Sequence, residues 1–284
     1  MGQLIVNADD FGLTSGVNRA IDELHRSGVV TSASLMARAG ATDEAIELAR
    51  FTPTLGVGCH IVLVDGEHVL PPDQIPTIVD SRTGCLPSSL STFLARLFAG
   101  RIRAEEIEAE AGAQIDFLQQ RGVRLTHIDT HKHTHVFPAV LRPVLRAARR
   151  RGIRAIRNPF EPQWSSRATH RAPWMRLAQV GALRWLEPVC HRILDGEGFV
   201  TTDGTIAVAG TGMLDTSNLR SLLQNLPAGT WELVTHPGYN DADLARVRTR
   251  LHASRDIERA ALIALKEFPA VELISFAKLQ PHSP

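Results

Sequence analysis

A chain of 284 residues with 44% hydrophobic content can bury a large core, enough for one α/β barrel of about 250 residues. Its formal net charge of +1 excludes the basic footprint of a nucleic-acid-binding protein. Three widely spaced cysteines, Cys59, Cys85 and Cys190, exclude a disulfide scaffold. With no basic-plus-apolar leader before the first strand and no apolar run near the ~20 residues that span a bilayer, the expected compartment is the cytoplasm.

The first predicted element, residues 3–8, is an apolar strand that runs into Asn7-Ala8-Asp9-Asp10-Phe11-Gly12. Adjacent carboxylates at a strand end need a cation or a shared proton to coexist. Thr14 or Ser15 caps a helix carrying Val17, Ala20, Ile21 and Leu24 on one side. Strands at 30–37 and 56–64 follow, with a helix at 41–50 between them. In the second of these strands His60 is the one polar member; alone, such a residue is more often a packed, hydrogen-bonded histidine than a ligand. Residues 65–90, rich in proline, read as a long loop of the kind that carries function. A helix at 104–121 leads to a strand at 124–130.

That strand opens the run His127-Ile128-Asp129-Thr130-His131-Lys132-His133-Thr134-His135, with four imidazoles and one carboxylate on every second residue. In extended backbone all five would share one face. Such a set suits a divalent cation, and the helix at 138–151 places it at a strand-to-helix junction, the functional end of an α/β fold. A strand at 153–158 carries Arg157 near its end, read as a site residue that holds Asp9 ionised. Residues 163–189 contain Trp164, Trp174 and Trp185 interleaved with Arg167, Arg171, Arg176 and Arg184. This helical insertion suits a membrane interface, or else packing on the barrel or against a second subunit. Strands at 205–209, 231–236 and 271–275 and helices at 216–226 and 241–267 complete the pattern, the penultimate strand ending in His236-Pro237-Gly238. Alternation of this kind argues for a parallel sheet in a single domain, barrel or doubly wound.

Val6-Asn7-Ala8-Asp9-Asp10-Phe11-Gly12, Gly58-Cys59-His60, the histidine run and Thr235-His236-Pro237-Gly238 together resemble the YdjC-like carbohydrate deacetylases, relatives of the chitooligosaccharide deacetylases. Arg157-Asn158-Pro159-Phe160-Glu161-Pro162 and the Trp- and Arg-rich stretch are similar to the hopanoid-biosynthesis-associated branch, HpnK. The resemblance implies a distorted TIM-like barrel of parallel strands, one divalent metal ion (magnesium or zinc) on Asp10, His60 and His131, and Asp9 as general base with His236 as acid. His127, Asp129, His133 and His135 are then left to orient a ligand imidazole or contact substrate. The substrate it implies is an N-acetylated sugar or glycolipid, on a hopanoid in that branch, and family members are often homodimers. Competing readings are a metal-dependent phosphoesterase or amidohydrolase, for which only Lys132 supplies a cation within the motifs, and a non-catalytic metal- or sugar-binding protein.

Overall fold

The computed structural model describes residues 2–267 and 271–279. Its elements run β1 (Gly2–Phe11), α1 (Ser15–Arg26), β2 (Ser32–Leu35), α2 (Thr42–Phe51), β3 (Gly56–Ile61), α3 (Leu90–Phe98), α4 (Ala104–Gln120), β4 (Leu125–Thr130) and α5 (Pro138–Arg149). An insertion of α6 (Gln163–Ala168), α7 (Trp174–Leu183) and α8 (Glu187–Glu197) follows. The chain closes with β5 (Gly204–Ile206), α9 (Thr216–Gln224), β6 (Gly229–Thr235), α10 (His252–Ile263) and β7 (Glu272–Leu273).

Strand β1 is buried on both faces, as expected for the centre of a parallel sheet. Leu4, Val6 and Ala8 belong to the main core, whereas Ile5 joins Ala155, Ile274 and Phe276 in a separate cluster. The strand order is β4-β3-β2-β1-β6-β5, all pairs parallel, and β7 pairs with the start of β1. Hydrogen bonds carry the ladder past β4, since Arg157 N–H donates to Ile128 O and Ile156 N–H donates to Val200 O. The segment after Val200 leads into β5, where Thr205 N–H donates to Phe160 O and the strand pairs with β6. The ladder therefore returns on itself. This is a distorted TIM-like barrel, not a doubly wound sheet, and two of its staves are thin.

The thin staves have local causes. At 153–158 only isolated bridges form, because Pro159 has no N–H to continue the ladder and Asn158 Oδ1 accepts the Phe160 N–H instead. Strand β5 stops at Ile206 because Ala207 takes a φ of 70°. The helix expected over 241–267 is reduced to α10, preceded by a short turn at Leu244–Arg246. Asp241 Oδ1 accepts the N–H groups of Asp243 and Leu244 there, and Thr249 Oγ1 accepts that of Leu251, so side chains compete with the helical pattern. Within 65–90 the backbone forms turns and no strand, and a helix the pattern did not announce, α3, begins at Leu90. Among the described residues no helix is long and apolar enough to cross a membrane.

Candidate active site

The end of β1 contains a bulge. Register moves from Ala8 opposite Ala33 to Phe11 opposite Leu35, so three steps on β1 match two on β2. Asp10 sits in the bulge with φ of 62°, a left-handed conformation uncommon for a residue with a side chain. In a regular strand Asp9 and Asp10 would face opposite sides; the bulge brings both carboxylates beside His60.

His60 rises from β3 and His131 follows the end of β4. His60 Nε2 and His131 Nδ1 lie 3.2 Å apart, and Asp10 Oδ1 is 3.7 Å from the first and 3.6 Å from the second. Ligand atoms of a tetrahedral shell with bonds of about 2.1 Å are separated by about 3.4 Å, so this triangle fits a single divalent ion. The remaining polar atoms are arranged to suit one. Asp10 Oδ2 is engaged by Arg255 at 2.5 Å, which leaves Oδ1 for the ion. Asp129 Oδ1 accepts from His60 Nδ1 at 2.7 Å, which fixes a proton there, so the proton that a bound ion would displace is the one on Nε2.

A second grouping, Asp9 with His60 and Asp129, lies deeper. Its carboxylates already share the buried guanidinium of Arg157, so a cation there would meet a fixed positive charge. Arg157 donates to Asp9 at 2.9 and 2.6 Å, to Glu232 of β6 at 2.8 Å from Nε, and pairs with Asp129 at 2.7 Å. Burial would raise the Asp9 carboxyl, but Arg157, with help from His60 and His236, holds it well below the usual carboxylate range. Asp10 is likewise held low against burial, chiefly by Arg255. Glu232 goes the other way, since burial outweighs Arg157 and lifts it to about 7. His60 is raised to about 9 because the Asp129 charge and hydrogen bond overcome burial; His131 is lowered to about 4, mainly by burial.

His236 follows β6, with Nε2 3.9 Å from Asp9 Oδ2. Its backbone N–H donates to Glu258 of α10 at 2.7 Å, and Glu258 Oε2 is 3.8 Å from His236 Nδ1. One turn earlier on the same helix, Arg255 reaches Asp10. Arg255, Glu258 and Glu232 were not singled out from the sequence. They lie in a helix or mid-strand, where no local pattern marks them.

The histidine run does not keep one face. The strand ends at Thr130, and 131–136 form a tight helical turn in which Lys132 and His133 have φ of 56° and 51°. His127 packs away from the triangle, stacked on Phe276 at 3.8 Å, and burial lowers it to about 3. It lies against Gly58, where a Cβ would come within 2.4 Å of its Nε2. His135 is also a bracing group: Nδ1 accepts from the Thr130 hydroxyl at 2.7 Å and Nε2 donates to Arg157 O at 3.2 Å, with burial lowering it to about 4. His133 lies beside His135, with ring centroids 6.2 Å apart. Burial and then the charge of Arg157 lower it to about 3, and its Nδ1 is buried with no partner among the described residues. Lys132 is tied to Asp65 at 2.5 Å, which pins the long loop to the turn.

The chain is 29% identical to a carbohydrate deacetylase of Thermoanaerobacter pseudethanolicus over 265 residues, 92% of this chain and 91% of that protein. A chitooligosaccharide deacetylase of Salmonella typhimurium is 39% identical over 151 residues, 53% of this chain and 57% of that protein. An Enterococcus faecalis crystal structure described in terms of cellobiose-phosphate cleavage superposes with a TM-score of 0.74 at 26% identity, covering 97% of each chain. A lactam utilization protein of Thermus thermophilus shares the fold alone, with a TM-score of 0.54 at 16% identity, covering 96% of this chain and 99% of that one. The YdjC-like protein family model matches residues 3–268, and the chain belongs to that family.

Proposed function

We propose that the protein is a metal-dependent hydrolase that removes the N-acetyl group from an N-acetylglucosamine-type sugar. The observation that carries this reading is the convergence of Asp10 Oδ1, His60 Nε2 and His131 Nδ1 beside two groups outside that donor set, Asp9 and His236. It is supported by relatives that act as carbohydrate and chitooligosaccharide deacetylases. A divalent ion on those three residues, magnesium or zinc, would acidify water and polarise the acetyl carbonyl. Asp9, kept ionised and held in place by Arg157, accepts the proton of the attacking water. A carboxylate held this low is a weak base, so its contribution is position as much as basicity. His236 donates a proton to the sugar nitrogen as the C–N bond breaks, with Glu258 holding its backbone.

A phosphoester substrate is disfavoured because Arg157, Arg255 and Lys132 each already face a carboxylate. A hopanoid glycolipid as the sugar's carrier rests on the likeness of residues 157–162 and of the Trp- and Arg-rich stretch to that branch. A cytoplasmic location is supported by three free cysteines, Cys59, Cys85 and Cys190. The test is release of acetate from N,N′-diacetylchitobiose and from an N-acetylglucosamine conjugate of an apolar alcohol, followed by proton NMR. Acetate from either, abolished by chelator, supports the reading; a metal-loaded protein that releases none from both sinks it.

A further inference from the structure

The insertion places two tryptophans in solvent. Trp174 is 75% exposed, Met175 59% and Trp185 86%, whereas Trp164 packs edge-on against Trp231 at 5.2 Å. Val180 is buried and Leu177 and Leu183 are half-buried, so α7 already spends its inward face on the protein. The outward face reads Trp174, Ala178, Gly181 and Ala182, with Trp185 in the 3-10 turn at Arg184–Leu186 that follows, all of them exposed and uncharged. From Pro162 to Leu186 the chain carries Arg167, Arg171, Arg176 and Arg184 and no Asp or Glu.

We propose that this face of α7 docks the protein on an anionic lipid surface. Indole rings suit the headgroup level of a bilayer, and guanidinium groups meet acidic lipid there. A second copy of the chain fits less well. A two-fold contact through this segment would set arginine against arginine. The face has a link to the chemistry. Arg176 Nη1 donates to Thr211 O, and the adjoining Gly212 N–H donates to Glu258, which holds His236. A sugar carried on an amphiphile would then meet an enzyme whose anchored segment is bonded to the loop beside Glu258 and His236. This substrate presentation rests on the deacetylase reading; the docking itself does not.

The experiment is co-sedimentation of the full chain with vesicles of phosphatidylcholine alone and with vesicles containing about 30% phosphatidylglycerol. Acetate release from a soluble N-acetylated sugar is measured in parallel, so failure of docking and failure of the deacetylase reading are separate results. The expected outcome is binding to the anionic vesicles only, weakened about tenfold or more by Trp174→Ala with Trp185→Ala and by high salt. The pair Arg167→Glu and Arg171→Glu should weaken it as well, which keeps the test open if the tryptophan variant folds poorly. No binding at low salt, or binding by both variants as strong as that of the unaltered protein, overturns the proposal. So does a wild-type dimer that the tryptophan variant dissociates while vesicle binding is absent.

Discussion

At the scale of single residues the account turns on which atoms are left free. His60 Nε2 is available because Asp129 occupies Nδ1, and a carboxylate behind a ligating imidazole also raises its basicity. Asp129→Asn is therefore expected to weaken metal binding by about 10–100-fold without removing a ligand. Titration with a metal-competing chelator measures this, and unchanged affinity would separate Asp129 from the metal. Asp9→Asn is expected to keep the metal and lose about two to four orders of magnitude in rate. Near-normal turnover in that variant would end its assignment as base. Asp9, Asp10, His60, His131 and His236 stand at or just past the ends of apolar strands, which marked them as candidates; the choice of His131 from the run and the separate roles came from the family resemblance. Arg255 and Glu258 were not, since α10 brings them to the site from an ordinary-looking polar helix. His127 misled for a physical reason: period-two spacing shows which face a side chain takes, not its depth along the lumen, and Phe276 covers it.

At the scale of elements, Arg157 joins β4, three strands from β1 along the ladder, to the adjacent pair β1 and β6. Its guanidinium holds Asp9 of β1, Asp129 of β4 and Glu232 of β6 from a stave that forms only isolated bridges. Side-chain charge thus reinforces the ring where the backbone ladder is thinnest. Arg157→Met would leave three buried carboxylates without their cation, an effect on the order of 3–5 kcal/mol of folding stability. Urea unfolding of the chelated protein measures it; a loss under about 1 kcal/mol would show that the cluster is not what closes the barrel. The strand-and-helix alternation made the parallel sheet readable, but closure was not, because it depends on residues 155–157 and Val200, too short to show a period. The bulge at Asp10 was equally hidden, since no glycine marks its left-handed backbone.

At the scale of the molecule, the buried histidines set an acid limit. His127 and His135 are held down at about 3 and about 4 by burial, below the ordinary 6.5 they would show unfolded. Between those values the unfolded chain binds more protons, so their stability contribution is present above pH 6.5 and lost as pH falls toward 4. His60, raised to about 9, has the opposite sign: its contribution is present below 6.5 and lost as pH rises through 9. Chelated protein is expected to melt at a falling temperature from pH 6.5 to 4.5, and a flat or rising profile would contradict the assigned burial. The most direct test of the whole account is metal add-back to chelated protein during acetate release from an N-acetylated sugar. The account predicts no acetate without metal, and recovery that rises linearly and saturates at one ion per chain. Undiminished acetate release by the fully chelated protein, or a metal-loaded Asp10→Asn/His60→Ala/His131→Ala variant with full turnover, would contradict it.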